Sequence, residues 1–174
     1  MDLNPNPNTS FTQSLFLSNA AVTDSFGHAL ANALQPGMVI YLSGPLGAGK
    51  TATVRALLRK MGVLGTIKSP TYTLVELYVV SRLSLYHFDF YRLQDPDEWL
   101  EAGLRDYFNP DSICLVEWPD KAGASLPQAD IVLNLSLEND GRRLQVLCNT
   151  RMGQQCINSA LQCIKNMEQT PPAN

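Results

Sequence analysis

The sequence predicts an α/β fold, a mixed sheet with helices on both faces and antiparallel hairpins, and three observations carry that prediction. The first is Met38–Leu42, a continuous apolar run of the kind that forms strands buried on both faces of a parallel sheet. The second lies directly behind that run. A Gly-rich loop, Ser43–Gly49, leads to Val54, Leu57, Leu58 and Met61 at the i, i+3, i+4, i+7 spacing of a helix with one apolar face. The third is a pair of β-rich regions broken by turn residues, the pattern of hairpins.

In chain order, residues 1–13 and 169–174 are rich in Asn, Pro and Thr and are expected to be disordered tails, leaving residues 14–168 as a single domain. Ser14–Leu17 is a candidate short strand. Thr23 or Asp24 can cap a helix with Phe26, Leu30, Ala33 and Leu34 on one face, and Pro36-Gly37 stops it. Gly62 ends the helix after the Gly-rich loop. Tyr72–Tyr91 reads as an antiparallel hairpin broken near Ser81-Arg82. Asp95-Pro96-Asp97-Glu98 reads as a helix start, with an Asp cap, Pro at the first helical position and Glu at the capping-box position. Ile113–Val116 is a second short buried strand. Ile131–Glu138 and Arg142–Asn149 form a second hairpin around Asn139-Asp140-Gly141. Cys156, Ala160, Cys163 and Met167 share one face of a last helix, expected to pack on the sheet.

Composition narrows the function classes. A chain of 174 residues is enough for one domain with a real core. A net charge of −3 and the lack of any Lys/Arg run argue against tight, direct binding of RNA or DNA. No apolar run approaches the roughly 20 residues of a membrane span, and the polar N-terminus lacks the features of a secretory signal. The four cysteines contain no CxxC pair and read as reduced thiols of a cytoplasmic protein.

The decisive motif is Gly44-Pro45-Leu46-Gly47-Ala48-Gly49-Lys50-Thr51, which fits G-x-x-x-x-G-K-[ST]. Its glycines permit backbone angles and close approaches that let successive N–H groups point at phosphate oxygens. The helix that begins near Lys50 adds the positive end of its dipole. Lys50 suits the terminal phosphates, and the Thr51 hydroxyl suits Mg²⁺. With Gly at about 7% of residues, such a match arises by chance on the order of once in a hundred chains of this size. Its position between a buried strand and an amphipathic helix makes accident rarer still. The motif predicts a P-loop NTPase-like domain that binds ATP or ADP with Mg²⁺.

Hydrolysis also needs an acid near the metal, and two strands end on one. Ile113–Val116 runs into Glu117, and Leu85-Tyr86-His87-Phe88 runs into Asp89. Alternation puts His87, Asp89 and Tyr91 on one side and Tyr86, Phe88 and Phe90 on the other. Each polar residue also has a plainer reading: Asp89 as a partner of Arg92 or a backbone N–H, His87 as a satisfied structural histidine, Glu117 as a surface carboxylate.

The motifs Lys68-Ser69-Pro70-Thr71-Tyr72-Thr73-Leu74, His87-Phe88-Asp89-Phe90-Tyr91-Arg92-Leu93 and Glu117-Trp118-Pro119, in this order after the Gly-rich loop, resemble the TsaE family, also called YjeE. The resemblance runs from about Thr23 to Asp130. It implies a small cytoplasmic ATPase that supports synthesis of threonylcarbamoyladenosine in tRNA by acting on the TsaD–TsaB pair, so that tRNA is reached only through the complex. It implies Lys50 and Thr51 as phosphate and Mg²⁺ ligands, Gly44, Gly47, Ala48, Gly49, Ala52 and Thr71 as nucleotide contacts, Asp89 as the acid of hydrolysis and a metal neighbour, and Glu117 as the acid at the metal. Ser69-Pro70-Thr71 matches a switch-like loop, and Trp118 a position tied to partner-dependent function. Two positions depart from the pattern: Pro45 stands where the family usually has Asp, and Ala52 where it usually has a second Thr. Pro45 removes a carboxylate and an N–H from the loop. The helix Met152–Met167 extends beyond the family's usual end.

Other classes fit less well. A P-loop small-molecule kinase usually bears an Arg-rich lid, and a Ras-type GTPase an Asn-Lys-x-Asp guanine reader; the chain has neither. A binding module gated by nucleotide, with incidental turnover, is compatible with the same residues.

Overall fold

The computed structural model of the protein describes residues 11–169, so the tail segments 1–10 and 170–174 lie outside the described residues. The strands are β1 (Phe11–Leu17), β2 (Val39–Ser43), β3 (Val75–Val80), β4 (Leu83–Asp89), β5 (Ser112–Glu117), β6 (Ile131–Glu138) and β7 (Gly141–Cys148). The helices are α1 (Ala20–Ala31), α2 (Lys50–Lys60), α3 (Glu98–Glu101) and α4 (Arg151–Gln169), with 3₁₀ turns at Leu104–Tyr107 and Pro119–Ser125.

All seven strands form one mixed sheet in the order β1-β7-β6-β2-β5-β4-β3. The central strand β2 runs parallel to both β5 and β6, and β4 runs parallel to β5. Every residue of β5 is buried, as the unbroken apolar run requires. The two expected hairpins are β3–β4 and β6–β7, each antiparallel.

Alternation along the strands sorts two cores. Ile40, Leu42, Leu85, Ile113 and Leu115 face the layer of α1, α2 and α4, where they meet Phe26, Leu30, Leu57 and Ile157. Val39, Phe88, Cys114 and Val116 face the other way, onto Phe90 just past β4 and onto Trp99, Leu104 and Ala122 from α3 and the 3₁₀ turns. Trp99 is fully buried there and donates its indole N–H to Ser125 Oγ at 3.0 Å. Helical structure therefore covers both faces, with the longer helices on one.

Several boundaries differ from the sequence reading. β1 begins at Phe11 rather than Ser14, so 11–13 belong to a strand and not to a tail; Phe11–Leu17 pairs antiparallel along β7, whose backbone groups supply the order that the polar alternation hides. Helix α1 starts at an Asn19 cap, whose side-chain oxygen accepts from the Val22 N–H at 3.0 Å. Thr23 lies inside the first turn, its hydroxyl donating to the Asn19 carbonyl at 3.1 Å. The capping-box residue Glu98 does reach back, accepting from the N–H groups of Gln94 and Asp95 at 3.0 and 2.8 Å, but Asp97 is the cap and the helix lasts one turn before Gly103 at φ 72°. The second hairpin turns on Asn139-Asp140, with Asn139 at φ 50° and Gly141 already paired. In α4, Cys156 and Ala160 pack on the core as expected and Cys163 is half-buried; the side chain of Met167 lies outside the described residues.

Candidate functional site

The site forms at the C-terminal ends of β2, β5 and β4, where a ligand is expected in an open α/β sheet. Its floor is the loop between β2 and α2. Gly44 has φ 135°, and a β-carbon there would fall 2.1 Å from the Leu135 carbonyl oxygen, so only glycine lets the loop leave the sheet along this path. Gly49 takes φ 103° as the cap of α2 and has no side chain to satisfy the first-turn N–H groups, which leaves the helix end as an anion site.

Lys50 opens α2 and is 4% exposed. Its ammonium donates to the carbonyls of Gly44 at 2.7 Å and Pro45 at 2.9 Å, and sits 3.9 Å from the centre of the Trp118 ring. Burial pushes its pKa below the ordinary lysine range, while Glu117, Asp89 and Asp120 pull it back up. Trp118 holds φ 57°, an uncommon backbone state for a bulky residue, and its ring also lies 5.1 Å from that of Tyr91.

Two acids face the loop. Glu117 and Asp89 are register partners at the ends of β5 and β4, on the same sheet face as α2, and are 2% and 3% exposed. The Thr51 hydroxyl meets Glu117 at 2.8 Å from Oε1 and 3.0 Å from Oε2. His87 Nε2 lies 2.8 Å from the same Oε1, and the ring is wholly buried. Asp89 Oδ1 accepts the Tyr91 N–H at 3.0 Å, while Oδ2 accepts from Thr71 at 2.7 Å and from Ser69. Those two hydroxyls are 2.7 Å apart. Arg92, the sequence candidate for pairing with Asp89, instead donates to the Tyr72 hydroxyl at 3.1 Å.

Lys50, Thr51, Ser69, Thr71, Asp89 and Glu117 line one cleft of about 320 Å³, together with Leu46, Gly47, Gly49, Ala52, Trp118 and Arg142. Of the residues singled out in the sequence, Lys50, Thr51, Thr71, Asp89 and Glu117 meet here. Ala48 is fully buried and Gly44 lies under the loop against β6, so neither lines the cleft. Arg142 is an addition that the sequence does not announce; it comes just after the second hairpin turn, and nothing local links that turn to the loop.

Residues 17–145 match the profile of the family described as threonylcarbamoyl adenosine biosynthesis protein TsaE. The chain belongs to the TsaE family. It is 48% identical over 122 residues to the tRNA threonylcarbamoyladenosine biosynthesis protein TsaE of Haemophilus influenzae, covering 70% of this chain and 77% of that one. It is 33% identical over 140 residues to the protein of the same name from Bacillus subtilis, covering 75% and 87%. The crystal structure of YdiB from Bacillus subtilis superposes with a TM-score of 0.76 at 24% identity, over 89% of this chain and 97% of that one, which establishes the fold. The family match stops before α4, and α4 nonetheless packs on α1 and β7 as part of the domain. No helix among the described residues is long and apolar enough to cross a membrane.

Proposed function

We propose that this protein binds Mg·ATP in the cleft and hydrolyses it, and that this cycle serves threonylcarbamoyladenosine synthesis on tRNA through the TsaD–TsaB pair. The observation that carries the reading is the meeting of Thr51 with both oxygens of Glu117. A hydroxyl from the start of α2 and a carboxylate from the end of the neighbouring parallel strand are the two protein ligands a P-loop site offers to magnesium. Among the described residues no three His, Cys, Asp or Glu side chains form a metal cage, so phosphate oxygens and water would complete the shell. Magnesium held there would neutralise charge on the phosphates.

The chain's own residues divide the remaining work. Lys50 exchanges its bonds to the Gly44 and Pro45 carbonyls for phosphate oxygens, and Trp118 must yield as it does so. His87 holds Glu117 in place. Asp89, Ser69 and Thr71 form a bonded unit above the loop from which the carboxylate can orient an attacking water. A net charge of −3 fits a protein that reaches tRNA through partners.

One observation favours a second reading, a binding module gated by nucleotide. Both Asp89 oxygens are occupied, by Tyr91 on one side and Ser69 and Thr71 on the other. In that reading Asp89 latches the loop and turnover is incidental. Measuring ATP turnover with and without TsaD–TsaB, in Mg²⁺ and in EDTA, separates the two. Slow turnover alone, a clear rise with the pair and loss in EDTA are expected. A pair that co-elutes with the chain without raising turnover favours the gated module; no complex on gel filtration and no change in rate overturns the partner role.

A further inference from the structure

Strand β3 ends the sheet with one side unpaired. The strand order gives it β4 as a neighbour on one side, and among the described residues no further backbone bond joins Val75–Val80 to another segment. The hairpin pattern shows which main-chain groups are free. Only Ser81 and Arg82 separate Val80 from its register partner Leu83, and so short a turn makes that pair exchange both its N–H···O bonds. Alternation then turns the main-chain groups of Tyr78 and Glu76 toward Leu85 and His87, and those of Leu77 and Val79 away from the sheet. The side chains of the same two residues are open to solvent. Leu77 is 49% exposed and Val79 64%, on the face of Val75 and Tyr86. Sheet edges are ordinarily blunted by Pro, a bulge or a central charge. Leu77-Tyr78-Val79-Val80 has none of these.

Two charges flank this apolar centre. Glu76 stands before it and Arg82 in the turn behind it, both exposed, and among the described residues neither forms an ion pair within the chain. Acid first and base last is an order that an antiparallel copy of the same strand complements, because each end meets the opposite charge. A parallel copy would set like beside like. We infer that β3 pairs with β3 of a second copy of this chain, antiparallel, about a twofold axis at Tyr78.

That register satisfies all of these features together. Leu77 lies opposite Val79 of the second copy, and Val79 opposite its Leu77. Both pairs have their main-chain groups turned outward, so each can exchange two bonds. The exposed aliphatic side chains of the two copies cover one another on one face, and Tyr78 meets its counterpart on the other. Glu76 stands opposite Val80 of the second copy and diagonal to its Arg82, at about 7–8 Å, a span that long side chains bridge. An axis at Val79 would demand bonds from Ser81, which its φ of 57° turns out of the strand. An axis at Leu77 would bring the two Glu76 side chains together. The pairing also bears on the cleft. Leu74, just before β3, donates to the Pro70 carbonyl at 2.7 Å and accepts the Asp89 N–H at 3.0 Å, so a second copy would steady the strand to which the Ser69–Thr71 loop is tied.

Sedimentation velocity on the full-length protein across a concentration series reads the association. The wild-type chain should pass from monomer to dimer, and V79K should stay monomeric. E76R and R82E should each weaken the dimer about tenfold, since two symmetry-related pairs turn repulsive at once. The double variant E76R/R82E exchanges the charges and should return to within about threefold of wild type. A wild-type chain still monomeric at about 1 mM, the range of the weakest specific contacts, overturns the inference. So does a dimer that V79K leaves intact, which would lie on another surface, and so does a double variant no better than the single ones, which would break the register. A chain monomeric by itself whose V79K variant no longer binds TsaD–TsaB gives the edge to a partner's strand and overturns self-pairing. Should V79K fail to fold, amide exchange on the wild-type protein carries the test. The Leu77 and Val79 N–H groups should exchange freely in dilute solution and gain protection as concentration rises, while the Tyr78 N–H stays protected throughout. Exchange at Leu77 and Val79 that does not depend on concentration overturns the inference.

Discussion

The two acids of the cleft share a charge and a depth of burial but keep different company. Glu117 touches Thr51 and His87, which α2 and β4 hold in place, so its oxygens are fixed at the helix end. Asp89 touches Ser69 and Thr71 on the loop that precedes β3. Glu117→Gln keeps the shape and removes the charge, and should weaken Mg·ATP more than Mg-free ADP. Asp89→Asn turns one acceptor into a donor, loosening the Ser69–Thr71 unit. It should leave nucleotide affinity within a few-fold while cutting partner-stimulated turnover by about 10², the scale of a lost water-positioning group. Calorimetry and turnover on both variants decide the matter. Loss of Mg²⁺-dependent binding in Asp89→Asn with Glu117→Gln spared would exchange the two roles.

Helix α1 does more for the cleft than its distance from the acids suggests. It packs along α2, and its Thr23 hydroxyl receives Arg142. Its first turn is set by the Asn19 side chain. Asn19→Ala removes the acceptor for the Val22 N–H and should cost about 1 kcal/mol, the usual worth of such a cap. Thermal melting should show a drop of a few degrees, with the heat and cooperativity of a single transition retained. An unchanged melting temperature would mean that packing alone holds the turn. On the opposite face, α3 survives as one turn because Trp99 anchors it, with Phe90 and Phe108 against its ring.

Across the whole molecule, two cores divided by one sheet leave the thiols in unequal surroundings. Burial raises Cys114 and Cys156 to about 12 and Cys148 to about 11. At pH 8 all three are therefore protonated and shielded, since the thiolate appears only as pH approaches those values. Cys163, half-buried on α4, is the accessible one of the four. Iodoacetamide at pH 8 should modify Cys163 first, and the other three only in denaturant; mass spectrometry of the digested protein reads the order. Rapid native labelling of Cys156 would show α4 leaving the domain, because Cys156 lies under that helix with Ile157 and Ala160.

Features with local signals were legible in the chain itself. The apolar run into Gly44–Thr51 and the helix behind it, the strand ending on Glu117, the alternation that turns His87 and Asp89 away from Phe88, and the hairpin breaks at Ser81 and Asn139 all depend on spacing and backbone freedom within a few residues. Which of these parts meet is a matter of the folded sheet. Thr51 and Glu117 are 66 residues apart, and no periodicity within either segment encodes their contact. Only the parallel pairing of β2 with β5 brings them together. The same holds for β1, whose polar alternation looks like tail until β7 supplies a partner strand, and for Asn19, which becomes the cap because β1 has just ended at Leu17. Arg142 is the least legible of all. A lone arginine after a turn carries no local mark of its place, and it joins the cleft only when the sheet order sets β7 on the far side of the loop from the acids and packs its side chain against a glycine that has no room for a β-carbon.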